Sequence, residues 1–520
     1  MSQITLSPLD WLVIGVYLAL VVGIALRVRL GQNTSADYFL AGRNMPWVVV
    51  AISLYATLFS TISFVAVPGE AFKNGVLLGL NSIGYAIFTP LAVYLFLRFF
   101  YQSQSFTCYE YLERRFNGAT RTLASLLFLS TRTLYAATVF YAAAVIFEEL
   151  IGWDRSFTVL VIGAFAILYT TIGGLRAVMI TDVLQALILL TGLAAVFMKA
   201  GTLIGFDLGA VWEYARARDH TFGRVTDPEF YSLNPYIRYT AWIWVLGALT
   251  GPSVGYGADQ LVVQRLLASK SYAAAKRAVW LKTLGVLPIM AAFYLVGLML
   301  FYYYNTGGTL PEDFDPDQVM GLFIIQHLPT PLPGLIAAAL LAALMSTVDS
   351  TVNSLSTVTC MDLLKRAGWL PEEEARHIRV GKALTLGWGV VVVGFAVFLT
   401  RASEGVESTV MELTLMWTSL WGVLLVIMLA GVLTRRATAR AATVALLAGM
   451  ALNLTLPWFL YYGTPAGERI SFAWVGLPGL FTAAVLVTIG SILDPRKPTA
   501  LDGLTLATLK RPDAMPHDTP

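Results

Sequence analysis

Apolar residues run in blocks of about twenty or more along most of the chain, separated by short polar breaks. A helix needs about 20 apolar residues to cross a bilayer, so each block predicts a transmembrane helix. The blocks cover residues 8–26, 46–67, 76–97, 122–149, 156–173, 178–200, 240–262, 276–303, 333–360, 379–400, 409–433, 439–461 and 471–493. That is about thirteen helices, and an odd number puts the two ends of the chain on opposite sides. Two connections are long, 202–239 and 304–332. The second holds Glu312, Asp313, Asp315 and Asp317 without Lys or Arg. It reads as a solvated loop, or as a weak attractor of cations. Residues 1–493 form one transmembrane domain in this reading, and the Pro-rich segment 494–520 is expected to be a disordered tail.

Composition agrees with the pattern. The chain is 57% hydrophobic and only 13% charged, where a soluble domain carries about 25% charged residues. The fold class is therefore an all-α polytopic membrane protein. Cys108 and Cys360 cannot build a disulfide framework, and the four histidines are scattered. No nucleophile–base pair, metal-ligand cluster or phosphate-binding glycine loop is present, so no enzyme activity and no cofactor are expected. The N-terminus lacks the basic residues of a signal peptide. The expected partners are lipid and a small solute, not nucleic acid.

Charge then orients the helices. With the N-terminus outside, 25 of the 35 Lys and Arg fall in cytoplasmic segments or at their helix edges, Lys276, Arg277 and Lys282 among them. Nine fall outside, and one, Arg132, lies within a helix. This excess satisfies the positive-inside rule and places the C-terminus in the cytoplasm, in a plasma or inner membrane.

The polar residues inside apolar blocks carry the chemistry. The stretch 337–359 reads AAALLAALMSTVDSTVNSLSTVT and buries Asp349 among hydroxyls. A charge at that depth costs roughly 3 kcal/mol or more, so it needs a partner. Ala343, Ser346, Thr347 and Ser350 fall at i, i+3, i+4 and i+7 and share one face. Their hydroxyls suit a hard cation, or they merely bond back to their own helix. Asp182 is the other intramembrane acid. Counting residues from the inner helix ends separates it from Asp349 by roughly 10 Å in depth. Asp349 therefore has two readings, an ion ligand or the partner of Arg132. Asp259 and Arg265 read as a gate, a latch or a surface cap near the inner end of the seventh helix.

Some helices look interrupted. The second holds Ser60, Thr61 and Ser63; the seventh holds Gly247, Gly251, Pro252, Gly255 and Gly257. Breaks at matching positions of two halves point to an inverted-repeat transporter, while the glycines alone also suit close helix packing. The GGLRA run at 173–177 reads as a tight turn.

ADYFLAGRN (36–44), VPGEAF (67–72), YTTIGGLRAVMITDVLQ (169–185), DQLVVQR (259–265) and AALMSTVDSTVNSLST (342–357) occur in this order within the helix pattern. Together they resemble the sodium:solute symporter family over essentially residues 8–493. The resemblance implies a leucine-transporter-like core of two inverted five-helix repeats, roughly 46–200 and 240–433. It implies Na+ as coupling ion, held by backbone oxygens of Ala56, Phe59 and Ala343 and the hydroxyls of Ser346 and Thr347. Some members hold a second sodium at positions aligning with Asp182, Asp349 and Ser350. The implied substrate lining is Ser60, Ser63, Asn81, Ser82, Tyr135, Trp242 and Trp244, with Trp417 or Trp421; the tryptophans also suit interface anchors. Sialic-acid-type members place an arginine where this chain has Tyr135. The stretch 134–154 is closer to the iodide, vitamin and monocarboxylate branch.

The expected function is sodium-coupled import of a small organic solute or anion by alternating access. Alternatives are a proton-coupled symporter using Asp182 and Asp349, a sugar or amino-acid carrier, a passive channel, or a transporter-like sensor.

Overall fold

The computed structural model describes residues 6–509 except 60, 104, 238–239, 312–313, 315, 371–372, 403–419, 458–473, 497 and 499–500. Ser60, Trp417, Glu312, Asp313 and Asp315 thus lie outside the described residues, and so does the side chain of Asp317.

Every apolar block contains helix, and the described residues contain no strand. The helices of the membrane bundle, with the short α8 packed into its centre, are α1 (Pro8–Val28), α2 (Trp47–Leu58), α3 (Thr61–Asn74), α4 (Leu80–Ser103), α5 (Gly118–Ile151), α6 (Arg155–Leu203), α7 (Ala241–Gly257), α8 (Gln260–Leu267), α9 (Tyr272–Thr306), α10 (Leu332–Val358), α11 (Glu374–Ala402), α12 (Leu420–Leu433), α13 (Ala439–Pro457) and α14 (Leu477–Leu493). Eight spans among them are long and apolar enough to cross a membrane, and shorter apolar helices accompany them.

Two apolar blocks share α6. The chain breaks within it at Gly174, with φ 56° and ψ −168°. Tyr169 and Asp182 lie on either side of this break. In a straight helix, 13 residues would separate them by about 20 Å. Instead Tyr169 bonds Asp349 while Asp182 joins the Arg265 cluster that bonds Ser350, the next residue. The chain must therefore fold back at Gly174, as the GGLRA run predicts. Gln32 and Tyr38 donate to the carbonyls of Gly173 and Thr171, freed by the turn. A Cβ at Gly174 would lie 2.8 Å from the Tyr38 ring and 2.9 Å from its carbonyl oxygen. Such a backbone conformation is confined almost to glycine and costs other residues roughly 1–3 kcal/mol. Gly174→Ala is expected to lower the thermal unfolding midpoint; an unchanged midpoint would refute the turn.

The second block is broken as expected. α2 ends at Leu58, Phe59 is extended (φ −94°, ψ 101°), and α3 begins at Thr61. The seventh block is not broken at its glycines. α7 runs through Pro252 to Gly257, and the chain turns at Ala258 and Asp259 instead. The glycines serve packing. A Cβ at Gly251 or Gly255 would press on Tyr85 of α4, and one at Gly257 would come within 2.6 Å of Phe96.

α10 is the central post, with every residue from Ile336 to Val358 buried. Its first turn is tied to α1: Asp10 caps its own helix through Ser7 and accepts from the Gly334 N–H at 2.8 Å. The tail departs from the expected disorder over 501–509. There Tyr111 Oη donates to Leu504 O at 2.8 Å, Leu506 N donates to Val432 O at 2.9 Å, and Thr505 is buried. The backbone groups of this segment find partners on the helix ends beneath it, which removes the reason for it to stay solvated.

Candidate functional site

The broken α2 meets α10 at the centre. Ser346 Oγ lies 3.0 Å from both Ala56 O and Ala343 O, to which it donates. Thr347 Oγ1 donates to Ala343 O at 3.2 Å. Ala56, Ala343, Ser346 and Thr347 are all buried, and Phe59 stands three residues beyond Ala56 at the break. Thus two carbonyl oxygens and two hydroxyls from the predicted ion set converge. Back-bonding also occurs: Thr351, Ser354 and Thr357 each donate to the carbonyl four residues earlier. Ser346 differs because its hydroxyl also crosses to another helix. These neutral oxygens match the needs of a hard monovalent cation.

One turn further along α10 lies a charged cluster. Arg265, fully buried in α8, donates to Ser53 Oγ at 2.9 Å, to Asp182 Oδ2 at 3.4 Å, to Leu261 O at 3.0 Å and to Ser350 Oγ. Ser53 Oγ donates to Asp182 at 2.5 Å. Asp349 accepts from Tyr169 Oη at 2.5 Å, and from Ser350 N and Oγ at 2.6 and 3.2 Å. Asp182, Asp349 and Ser350 are therefore gathered, despite the depth estimate that kept them apart, but a guanidinium stands among them.

The alternative partner of Asp349 is corrected. Arg132 pairs with Asp259 and lies 3.9 Å above the Trp421 ring and 5.1 Å from that of Tyr135. Asp259 is also the N-cap of α8 and is buried, so it is not a surface cap. Asp259 and Arg265 do not latch to each other; each holds a different neighbour. The rest of α8 explains the motif. Gln264 Nε2 donates to Phe39 O, Asn353 Oδ1 and Thr357 Oγ1 at 2.6, 3.0 and 2.9 Å. All eight residues of the helix are buried.

The predicted substrate lining divides. Asn81 and Trp244 both lie at the packed seam of α4 and α7: a Cβ at Gly247 would lie 3.8 Å from Asn81 Oδ1, and one at Gly84 would lie 3.4 Å from the Trp244 ring. Asn81 Oδ1 and Trp244 Nε1 are buried and make no hydrogen bond among the described residues. An acceptor and a donor are thus left open on this face. Ser82, next to Asn81, and Ser63 on α3 are half-buried. Tyr135 belongs instead to the Arg132 cluster. Trp242 is largely exposed and donates to Tyr231 O at 2.9 Å, as an anchor would. Trp421 donates to Thr131 Oγ1 at 2.7 Å.

Sequence reasoning missed Ser53, Tyr169, Gln264 and Lys282. The first three carry no periodic signal. Lys282 was counted only as a charge at the cytoplasmic edge.

Comparison with known proteins agrees with this architecture. The chain superposes on a Na+-coupled sialic acid symporter, solved substrate-bound and outward-open, with TM-score 0.85 and 24% identity over 95% of this chain and all of that one. The two share the fold, of the leucine-transporter type. The chain is 29% identical to the sodium-dependent multivitamin transporter of Oryctolagus cuniculus over 96% of its own length and 79% of the relative's. It is 31% identical to sodium-coupled monocarboxylate transporter 1 of Xenopus laevis, over 85% of its own length and 69% of the relative's. The model of the sodium:solute symporter family matches residues 38–449. The chain belongs to the sodium:solute symporter family.

Proposed function

We propose that the protein is a sodium-coupled symporter that imports a small organic anion by alternating access, through a plasma or inner membrane with its N-terminus outside. The observation that carries this is the Ser346 hydroxyl joining Ala56 O on the broken α2 to Ala343 O on α10. Sodium entering from outside takes the same two carbonyl oxygens and a lone pair of the Ser346 hydroxyl, whose proton turns away but stays on Oγ, together with Thr347 and the freed carbonyl at Phe59. The ion then fixes α2 against α10, and the solute site beside it is completed. Coupling follows because sodium binds the closed arrangement better than the open one. The anionic solute rests on the monocarboxylate relative; Tyr135, where sialic-acid-type members place an arginine, argues against a sialic acid. The test is uptake into proteoliposomes under imposed sodium or proton gradients. Uptake driven by protons but not by sodium would remove the role given to Ser346 and Thr347.

One sodium is the coupling stoichiometry this arrangement favours. The Arg265 guanidinium already neutralises the Asp182 site, and Tyr169 and Ser350 hold Asp349. Asp349→Asn is accordingly expected to leave the sodium Hill slope of uptake unchanged while lowering thermal stability. A drop in that slope would restore Asp182, Asp349 and Ser350 as a second ion site.

A further inference from the structure

Lys282 lies on α9 between α4 and α7. It is buried, yet it makes no ion pair or hydrogen bond among the described residues. Its ammonium lies 4.3 Å from the Tyr85 ring centroid and 5.9 Å from that of Tyr256. Two tyrosine faces attract a cation but do not neutralise it. A lysine inside a membrane protein ordinarily finds a carboxylate or marks a transport path. Asp259, the carboxylate near Tyr85, is taken by Arg132.

A second observation falls at the same place. Tyr256 Oη and Thr283 Oγ1 approach each other across α7 and α9, both buried; their contact falls short of hydrogen-bond geometry, and neither finds another partner among the described residues. One ammonium and two hydroxyls with unused donors make the chemistry of a site for a small anion. The position suits passage. Tyr85 follows Asn81 by one turn of α4, so the cluster sits next inward from the open Asn81 and Trp244 atoms. One turn further, a cavity of about 300 Å³ opens between α4 and α9, lined by Thr89, Val93, Arg98, Lys276 and Trp280 among others. Both charged residues there are again cations.

We propose that Lys282, Tyr256 and Thr283 form an anion subsite that receives the carboxylate, or an equally small monoanion, of the transported solute on its way to the inner face. This rests on the reading of the protein as an importer of a small anion. Asn81 and Trp244 would hold the polar body of the solute, and Lys282 would select its charge.

The test uses the purified full-length protein, with thermal unfolding followed against sodium propionate, sodium iodide, sodium chloride and the neutral isostere propionamide. Propionate or iodide is expected to raise the midpoint saturably, and propionamide is not. Lys282→Met is expected to raise the half-saturating concentration about tenfold or more, as loss of a charge-assisted contact does. Lys282→Arg should stay within about threefold of the parent, because it keeps the charge. If Lys282→Met does not fold, the pair Tyr256→Phe and Thr283→Val decides, with a several-fold weakening expected. An unchanged half-saturation in these variants overturns the subsite. Equal response to propionamide also overturns it. So does saturation by chloride that propionate and iodide fail to compete, which would mark a resident halide. An anion response that persists while sodium gradients drive no uptake would instead sink the symport reading and leave the subsite standing.

Discussion

Arg265→Met is expected to cost about 3–5 kcal/mol of stability, a large share of the total. The change leaves Asp182 charged, fully buried and stripped of its cation, and uncompensated buried charge is destabilising on that scale. It also removes the donors that Ser53, Ser350 and the Leu261 carbonyl now use. Marginal proteins hold only about 5–15 kcal/mol in total, so detergent-extracted protein should unfold at a much lower temperature. Adding Asp182→Leu to Arg265→Met should recover a large part of the loss, because a pair replaced by apolar groups is often near neutral. Unfolding midpoints of the two single variants and the double variant measure this directly. If the double variant is as unstable as Arg265→Met alone, the pair is not what holds α8 against α2 and α6.

The second large effect concerns sodium. Ser346→Ala and Thr347→Ala should each raise the sodium concentration for half-maximal uptake about tenfold or more. Each removes one oxygen from a site with few ligands, and a factor of ten corresponds to about 1.4 kcal/mol. Together they should abolish sodium-driven uptake. Thr347→Ser keeps the hydroxyl and should behave close to the parent. Because Ser346 also ties α10 to Ala56, its loss is expected to lower stability in the absence of sodium as well. Sodium dependence of uptake, measured at fixed solute, checks the pair. Unchanged half-saturation in Thr347→Ala would exclude that hydroxyl from the site.

The helices and one face of the site were legible in the chain because both obey a period. Blocks of twenty apolar residues needed only length, and Ala343, Ser346 and Thr347 needed only the helical repeat. The turn at Gly174 was legible because two adjacent glycines inside an apolar run have few other uses. Long-range pairing was not legible. Arg132 lies in α5 and Asp259 at the start of α8, and depth along a helix says nothing of lateral position. Arg265 was hidden for another reason. It sits in an eight-residue helix, too short to show a buried face by periodicity, so it resembled a charge at a membrane edge. Lys282 was hidden in the same way, among the charges at the helix edges. The glycines of α7 were read as a possible break because glycine serves both breaks and tight contact. The bulky Tyr85 and Phe96 opposite them decided for contact.

The burial of α10 has a consequence for how the protein is made. This helix touches almost no lipid when assembled, yet it must enter the bilayer carrying an acid and a row of hydroxyls. Synthesis proceeds from the N-terminus, and Ser53, Tyr169, Asp182, Gln264 and Arg265 are all made before Asp349. The receptors for its polar side chains are therefore already in the membrane when α10 arrives. A chain rearranged to place α10 first would expose Asp349 to hydrocarbon without the Tyr169 hydroxyl or the nearby Arg265 cation. The order of the helices along the gene is thus part of what makes a polar central helix tolerable during biogenesis.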